Sequence, residues 1–266
     1  MFAFVGEAEV DDITEVVLCF ISNITTLFSE VTLKIEGEST SAIEIYKLMN
    51  KLKTSLMQRQ SDKFFGFLAM QKLEVFHDKH CKRKLENEFL QFYDSALAYM
   101  AKSFDFSDTS LLSILSPLAL DNGFPDMSQL TAICKALCID FADSMYDEFC
   151  DLRAFYVSPS LPASFHQSNV YEKWKVLLSK MTCPNVQKIV SLCLSLPSSN
   201  AGAERVFSAM NAKWTDVRNR AAPELIKAEI QVKHNFDHSC KEFYQWCLKD
   251  EQLLKLVKST SRYDFK

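Results

Sequence analysis

Apolar residues recur along this chain at helical spacing almost from its first residue to its last. Val10, Ile13, Val17, Phe20/Ile21, Ile24 and Leu27/Phe28 place one apolar stripe on residues 10–29, which predicts an amphipathic helix. Val31–Ile35 alternates, but over too short a run to make a strand. Ser41 and Glu44 form a capping box that opens a second helix, with Ile45, Leu48/Met49, Leu52 and Leu56 on its stripe. A third stripe runs through Leu85, Phe89, Phe92/Tyr93, Ala96/Leu97 and Met100. Leu111–Leu120 contains Pro117, so that helix should stop or kink there.

Asn122–Pro125 reads as a turn. A long helix is expected from Ser128, with Leu130, Ile133/Cys134, Leu137, Phe141, Met145, Phe149 and Leu152 on one side. Ser158–Pro162 is the best linker. Shorter helices should follow at 169–182, 185–194, 200–214, 223–236 and 240–258, with Pro223 in the first turn of its helix. No segment alternates over more than five residues, so the expected class is all-α, an irregular multi-helix bundle.

Composition sharpens this picture. Of 266 residues only five are glycine, and no two glycines lie closer than 29 positions. Dinucleotide and P-loop fingerprints and the GxSxG elbow are therefore excluded. Residues 1–169 carry 14 Lys/Arg against 24 Asp/Glu, and residues 170–266 carry 16 against 10. The change of sign past the linker divides the chain into 1–160 and 161–266. Nine irregularly spaced cysteines without a CxxC, and no basic-flanked leader, imply reduced thiols in a cytosolic or nuclear setting. No apolar run is expected to reach the about 18 residues that a bilayer requires.

Candidate chemistry is sparse. His77, Asp78, His80 and Cys81 could supply metal ligands, but no second pair stands at a familiar spacing. His234 and His238 have the spacing of half a zinc finger, without its CxxC half. The expectation is no metal, no cofactor and no small-molecule substrate. Cys19, Cys134 and Cys193 lie among apolar residues and read as packing.

The distinctive stretch is Leu192–Val232. Leu194-Ser195-Leu196-Pro197 closes one element, and Ser198-Ser199-Asn200 supplies N-cap chemistry for the next. Ala201-Gly202-Ala203 gives a slim first turn that another backbone could approach. Glu204 follows, where the macrodipole favours a carboxylate; the residues alone read it as a first-turn acid paired with Arg205 or Lys213. Val206/Phe207 and Met210 should form a buried stripe closed by Trp214, ahead of the basic cluster Arg218-Asn219-Arg220.

In order and spacing this set resembles the C-terminal dimerisation region of hAT-superfamily transposases, over about 185–236. The earlier helices, from Leu33–Glu38 into Ile43–Leu52, resemble the helical insertion domain that precedes it in the family. Family transposases cut DNA with three carboxylates and two divalent metals on an RNase H-like core, and Glu204 matches the third carboxylate. The two aspartates and the sheet that would hold them, and the BED zinc finger, are missing from this chain.

The resemblance therefore implies a homodimer without transposase activity, nuclear by family and possible in the cytoplasm. Leu194, Leu196, Val206, Phe207, Met210, Trp214, Leu225, Ile226 and Val232 would supply its contact. No membrane is expected. The alternative is a remnant of a metal-dependent DNA transposase or nuclease that keeps DNA binding. A weak phosphate contact would then use Lys213, Arg218 and Arg220, with Lys227 and Lys233 nearby.

Overall fold

The computed structural model describes residues 7–37, 39–215, 222–235 and 238–258, and among them are thirteen α-helices and no strand. The all-α reading holds. Two compact units divide the chain, Met1–Asn200 and Ala201–Lys266. The sequence boundary at 160/161 thus lies inside the first unit, whereas the spatial division falls between Asn200 and Ala201.

The first unit holds two apolar cores joined by one helix. α1 (Glu7–Glu36), α2 (Ala42–Ser61), α3 (Phe67–Val75) and α4 (Lys79–Ser103) surround the first core. Val16, Phe20 and Ile24 of α1 meet Leu52 and Leu56 of α2, and Leu85, Phe89 and Tyr93 of α4. Phe20 stacks on Phe89 with ring centroids 4.1 Å apart and planes 15° from parallel. α2 begins as its sequence dictates. The Ser41 backbone N–H donates to Glu44 Oε2 at 2.9 Å, closing the capping box.

α1 is longer than the pattern alone predicts, because the Val31–Ile35 alternation continues as helix. One expectation is overturned here. Residues 12–36 are long and apolar enough, by length and composition, to cross a membrane, with a mean hydropathy of 1.7 over 18 residues. In the structure the apolar excess has a structural use on one face, since Val16, Phe20 and Ile24 are buried and Glu15 pairs with Lys72 of α3 at 2.7 Å. Leu18, Ile21 and Leu33 remain exposed.

The second core gathers α5 (Leu111–Leu115), a 3₁₀ turn at Ser116–Ala119, α6 (Met127–Ala136), α7 (Asp143–Tyr156), α8 (Val170–Lys180) and α9 (Pro184–Ser195). Pro117 stops α5 as expected, and Leu120 closes the turn in the left-handed region. Trp174 is buried at the centre, its Nε1 donating to the Leu118 carbonyl at 2.7 Å. Ile43 of α2 belongs to this core while Leu52 and Leu56 belong to the first. α2 is therefore the element shared by both.

The long helix expected from Ser128 is two helices. The chain leaves α6 at Leu137, and Cys138 takes a left-handed φ of 54°. The Ile139 N–H then bonds back to the Cys134 carbonyl at 2.9 Å, which satisfies a helix-end acceptor. Most of the stripe still reaches the core from both pieces, but Phe141, in the break, is exposed.

In the second unit, α10 (Ala201–Lys213) packs on α11 (Pro223–Asn235), and α12 (Cys240–Lys249) packs on α13 (Glu251–Lys258). Asp250 separates the last two, which the periodicity predicts as one helix; its carboxylate accepts from the Leu253 N–H at 2.9 Å and so caps α13.

Candidate self-association surface

The stretch singled out in the sequence begins inside the second core of the first unit. α9 starts at Pro184, and its first free N–H groups have no side-chain cap of their own. Glu148, from α7, supplies one. Its Oε2 accepts from the Asn185 and Val186 N–H groups at 2.9 and 3.0 Å, and its Oε1 accepts from Asn185 Nδ2 at 2.7 Å. A carboxylate at a helix N-terminus also answers the macrodipole. This cross-helix cap fixes α9 against α7, and with it the exit through Leu194 and Leu196. Both leucines are half-buried against their own core. Beyond them, Ser41 bridges to Pro197, and Ser198 Oγ donates to the Ile35 carbonyl at 2.9 Å.

In the second unit the apolar residues stand differently. On α10, Ala209 is buried, Val206 and Met210 are half-buried, and Phe207 is 57% exposed. Trp214, just past the helix, is 41% exposed. The expected buried stripe of Val206/Phe207, Met210 and Trp214 is corrected accordingly. The small Ala209, not Phe207, occupies the inner line of this helix. On α11, Ile226 is 2% exposed, whereas Leu225 is 51% and Val232 60% exposed. Ala209 and Ile226 are the only buried apolar residues of this unit among the described ones.

Gly202 is not a point of close backbone approach. A Cβ built there meets only the Arg205 guanidinium, at 4.0 Å. Glu204 is exposed in the first turn of α10. Lys213, expected as its partner or as a phosphate contact, instead pairs with Glu229 of α11 at 3.1 Å and ties the two helices together. Arg218 and Arg220 lie outside the described residues. Lys227 and Lys233 are exposed on α11.

The histidine cluster serves as a cap. Asp78 is the N-cap of α4 and accepts from the His80 N–H at 2.7 Å. Hydrogen bonds from the Cys81 thiol and then the His80 N–H hold its carboxyl below the ordinary range. No group of three His, Cys, Asp or Glu able to hold a metal ion occurs among the described residues. Cys134, Cys183 and Cys193 are buried, and burial pushes the Cys193 thiol up to about 11. A thiol so placed packs and does not attack.

Sequence reasoning passed over α12. Phe243, Tyr244, Trp246 and Leu248 are each 40–60% exposed, and no residue of this helix is buried. The available signal was the capping box Ser239–Glu242 directly before an aromatic-dense run.

A scan against protein-family models matches residues 152–236 to the hAT family C-terminal dimerisation region. Comparison with curated proteins and with solved structures gives no match. The matched span runs from the end of α7 through α11 and contains Leu194, Leu196, Val206, Phe207, Met210, Trp214, Leu225, Ile226 and Val232, but not the aromatic residues of α12. Residues 152–236 thus match the hAT family C-terminal dimerisation region, about a third of the chain.

Proposed function

We propose that this chain is a self-association module of hAT descent. It forms a homodimer through residues 152–236 and cuts no DNA. The observation that carries the reading is the match to the dimerisation region together with the exposure of Phe207, Trp214, Leu225 and Val232 within it. Apolar side chains of this size contribute about 1.5–3 kcal/mol each when removed from water, before the entropic cost of association. The second unit buries few of its own, so a second copy offers it the cover that its fold does not.

The inactive part of the proposal rests on Glu204. A two-metal site needs several carboxylates to hold and neutralise its ions, and this one is an exposed first-turn residue. The nuclear location that the family implies belongs to the same proposal.

Sedimentation velocity over a range of chain concentrations tests the dimer. The expected result is a monomer–dimer equilibrium that Phe207→Asp shifts towards monomer by at least about tenfold, the mark of an interface anchor. Circular dichroism should stay unchanged, because Phe207 is exposed in the single chain. A monomer at every concentration overturns the reading. Metal-dependent cleavage of duplex DNA that is lost in Glu204→Gln would overturn the inactive assignment.

A further inference from the structure

α12 packs on α13, yet among the described residues it buries none of its own side chains. It has ten residues, and isolated helices shorter than about 12–15 residues are marginal in water. Its start is well specified. Glu242 accepts from the Ser239 N–H and hydroxyl at 2.8 and 2.7 Å, and the Ser239 Oγ accepts from the Glu242 N–H at 3.3 Å. A cap is worth only about 1 kcal/mol, and no residue of the helix is buried. Yet three aromatic residues and a leucine stand on it, with the Phe243 and Trp246 rings stacked at 5.9 Å.

We propose that the aromatic face of α12 is part of the contact with a second copy of this chain, extending the interface past the matched region; this rests on the dimer reading above. Two observations select a second copy as the occupant. The first is continuity: four residues separate the end of α11 from the start of α12, and three separate α12 from the end of the matched region. The second is charge. Lys241 and Lys249 are balanced by Glu242 and Asp250, so two such surfaces meet without net repulsion. A nucleic-acid or acidic-membrane surface would call for a cationic excess.

Area sets its share of the work. At their observed exposure these four side chains offer about 350 Å² per copy. A pair of copies then gives about 700 Å², well under the about 1,200 Å² of a stable interface. α12 therefore reinforces a dimer built on residues 152–236 and does not form one alone.

The test is the dimer dissociation constant of the full chain by sedimentation, for the unsubstituted protein and for Tyr244→Ala/Trp246→Ala. The expected result is a constant raised about tenfold or more with unchanged circular dichroism. An unchanged constant overturns the role of α12 and leaves the dimer reading standing. A chain that is monomeric without any substitution overturns both. Hydrogen exchange on the unsubstituted protein gives a readout that does not depend on the variant folding. The amides of residues 243–248 should be protected in the dimer and should exchange on dilution to monomer. Equal protection in both states would mean that the chain covers α12 itself, which also overturns the proposal.

Discussion

Asp121 shows how a single residue couples the helices of the second core to pH. It accepts from Lys47 of α2 at 2.7 Å and from Lys173 of α8 at 3.4 Å, and Lys173 is buried. Burial raises its carboxyl, but the two lysines outweigh burial and hold it below its ordinary value. A carboxyl depressed in the folded state contributes stability above its unfolded value of about 3.9, and loses that contribution as pH falls through the folded one. Asp121→Asn should therefore lower stability at pH 7 by about 1–2 kcal/mol, the range for charge-assisted bonds discounted for partial exposure. It should also flatten the loss of stability below about pH 4. Urea unfolding between pH 2 and 7 measures both. Neighbouring Glu44 runs the other way: burial raises its carboxyl against the Ser41 N–H that lowers it, so its ionised form works against folding above its unfolded value.

Among the elements, the break between α6 and α7 separates what periodicity reports from what the backbone does. The apolar spacing from Leu130 to Leu152 is continuous, yet Cys138 is left-handed and the helix ends there. Periodicity records which residues face a core, and both helices face the same one. Cys138→Gly distinguishes the two cases by sign. In a continuous helix, glycine costs up to about 1 kcal/mol. At a left-handed position it relieves strain, so thermal or urea unfolding should show a gain of about 1 kcal/mol. The caps were easier to foresee. Ser41/Glu44 and the Pro223 start are local, and they form as their residues dictate. The Glu148 cap of α9 was not foreseeable, because its two halves lie 37 residues apart and meet only through packing.

For the whole molecule, the contrast is between a first unit with two filled cores and a second with two buried apolar residues among those described. A segment of this size whose described residues bury so few apolar side chains is marginal by itself. Association stabilises whatever folds only in the dimer, by mass action. Followed by hydrogen exchange, the stability of residues 201–258 should rise with protein concentration more steeply than that of residues 7–151, which lie outside the matched region. No concentration dependence in residues 201–258 would contradict a dimer that covers their exposed apolar side chains.

The helical class, most helix positions, the capping box, the Pro117 stop and the dimerisation region itself were readable in the residues, because each depends on interactions within a few positions or on a specific local pattern. Which apolar residues a helix buries was not readable. Phe207 and Ala209 lie on the same short helix, and only the packing of α10 on α11 turns Ala209 inward and leaves Phe207 outside. The pairing of Lys213 with Glu229 and the division at Asn200/Ala201 were settled in the same way. Both follow from how separate helices pack on one another, and local propensity does not encode that.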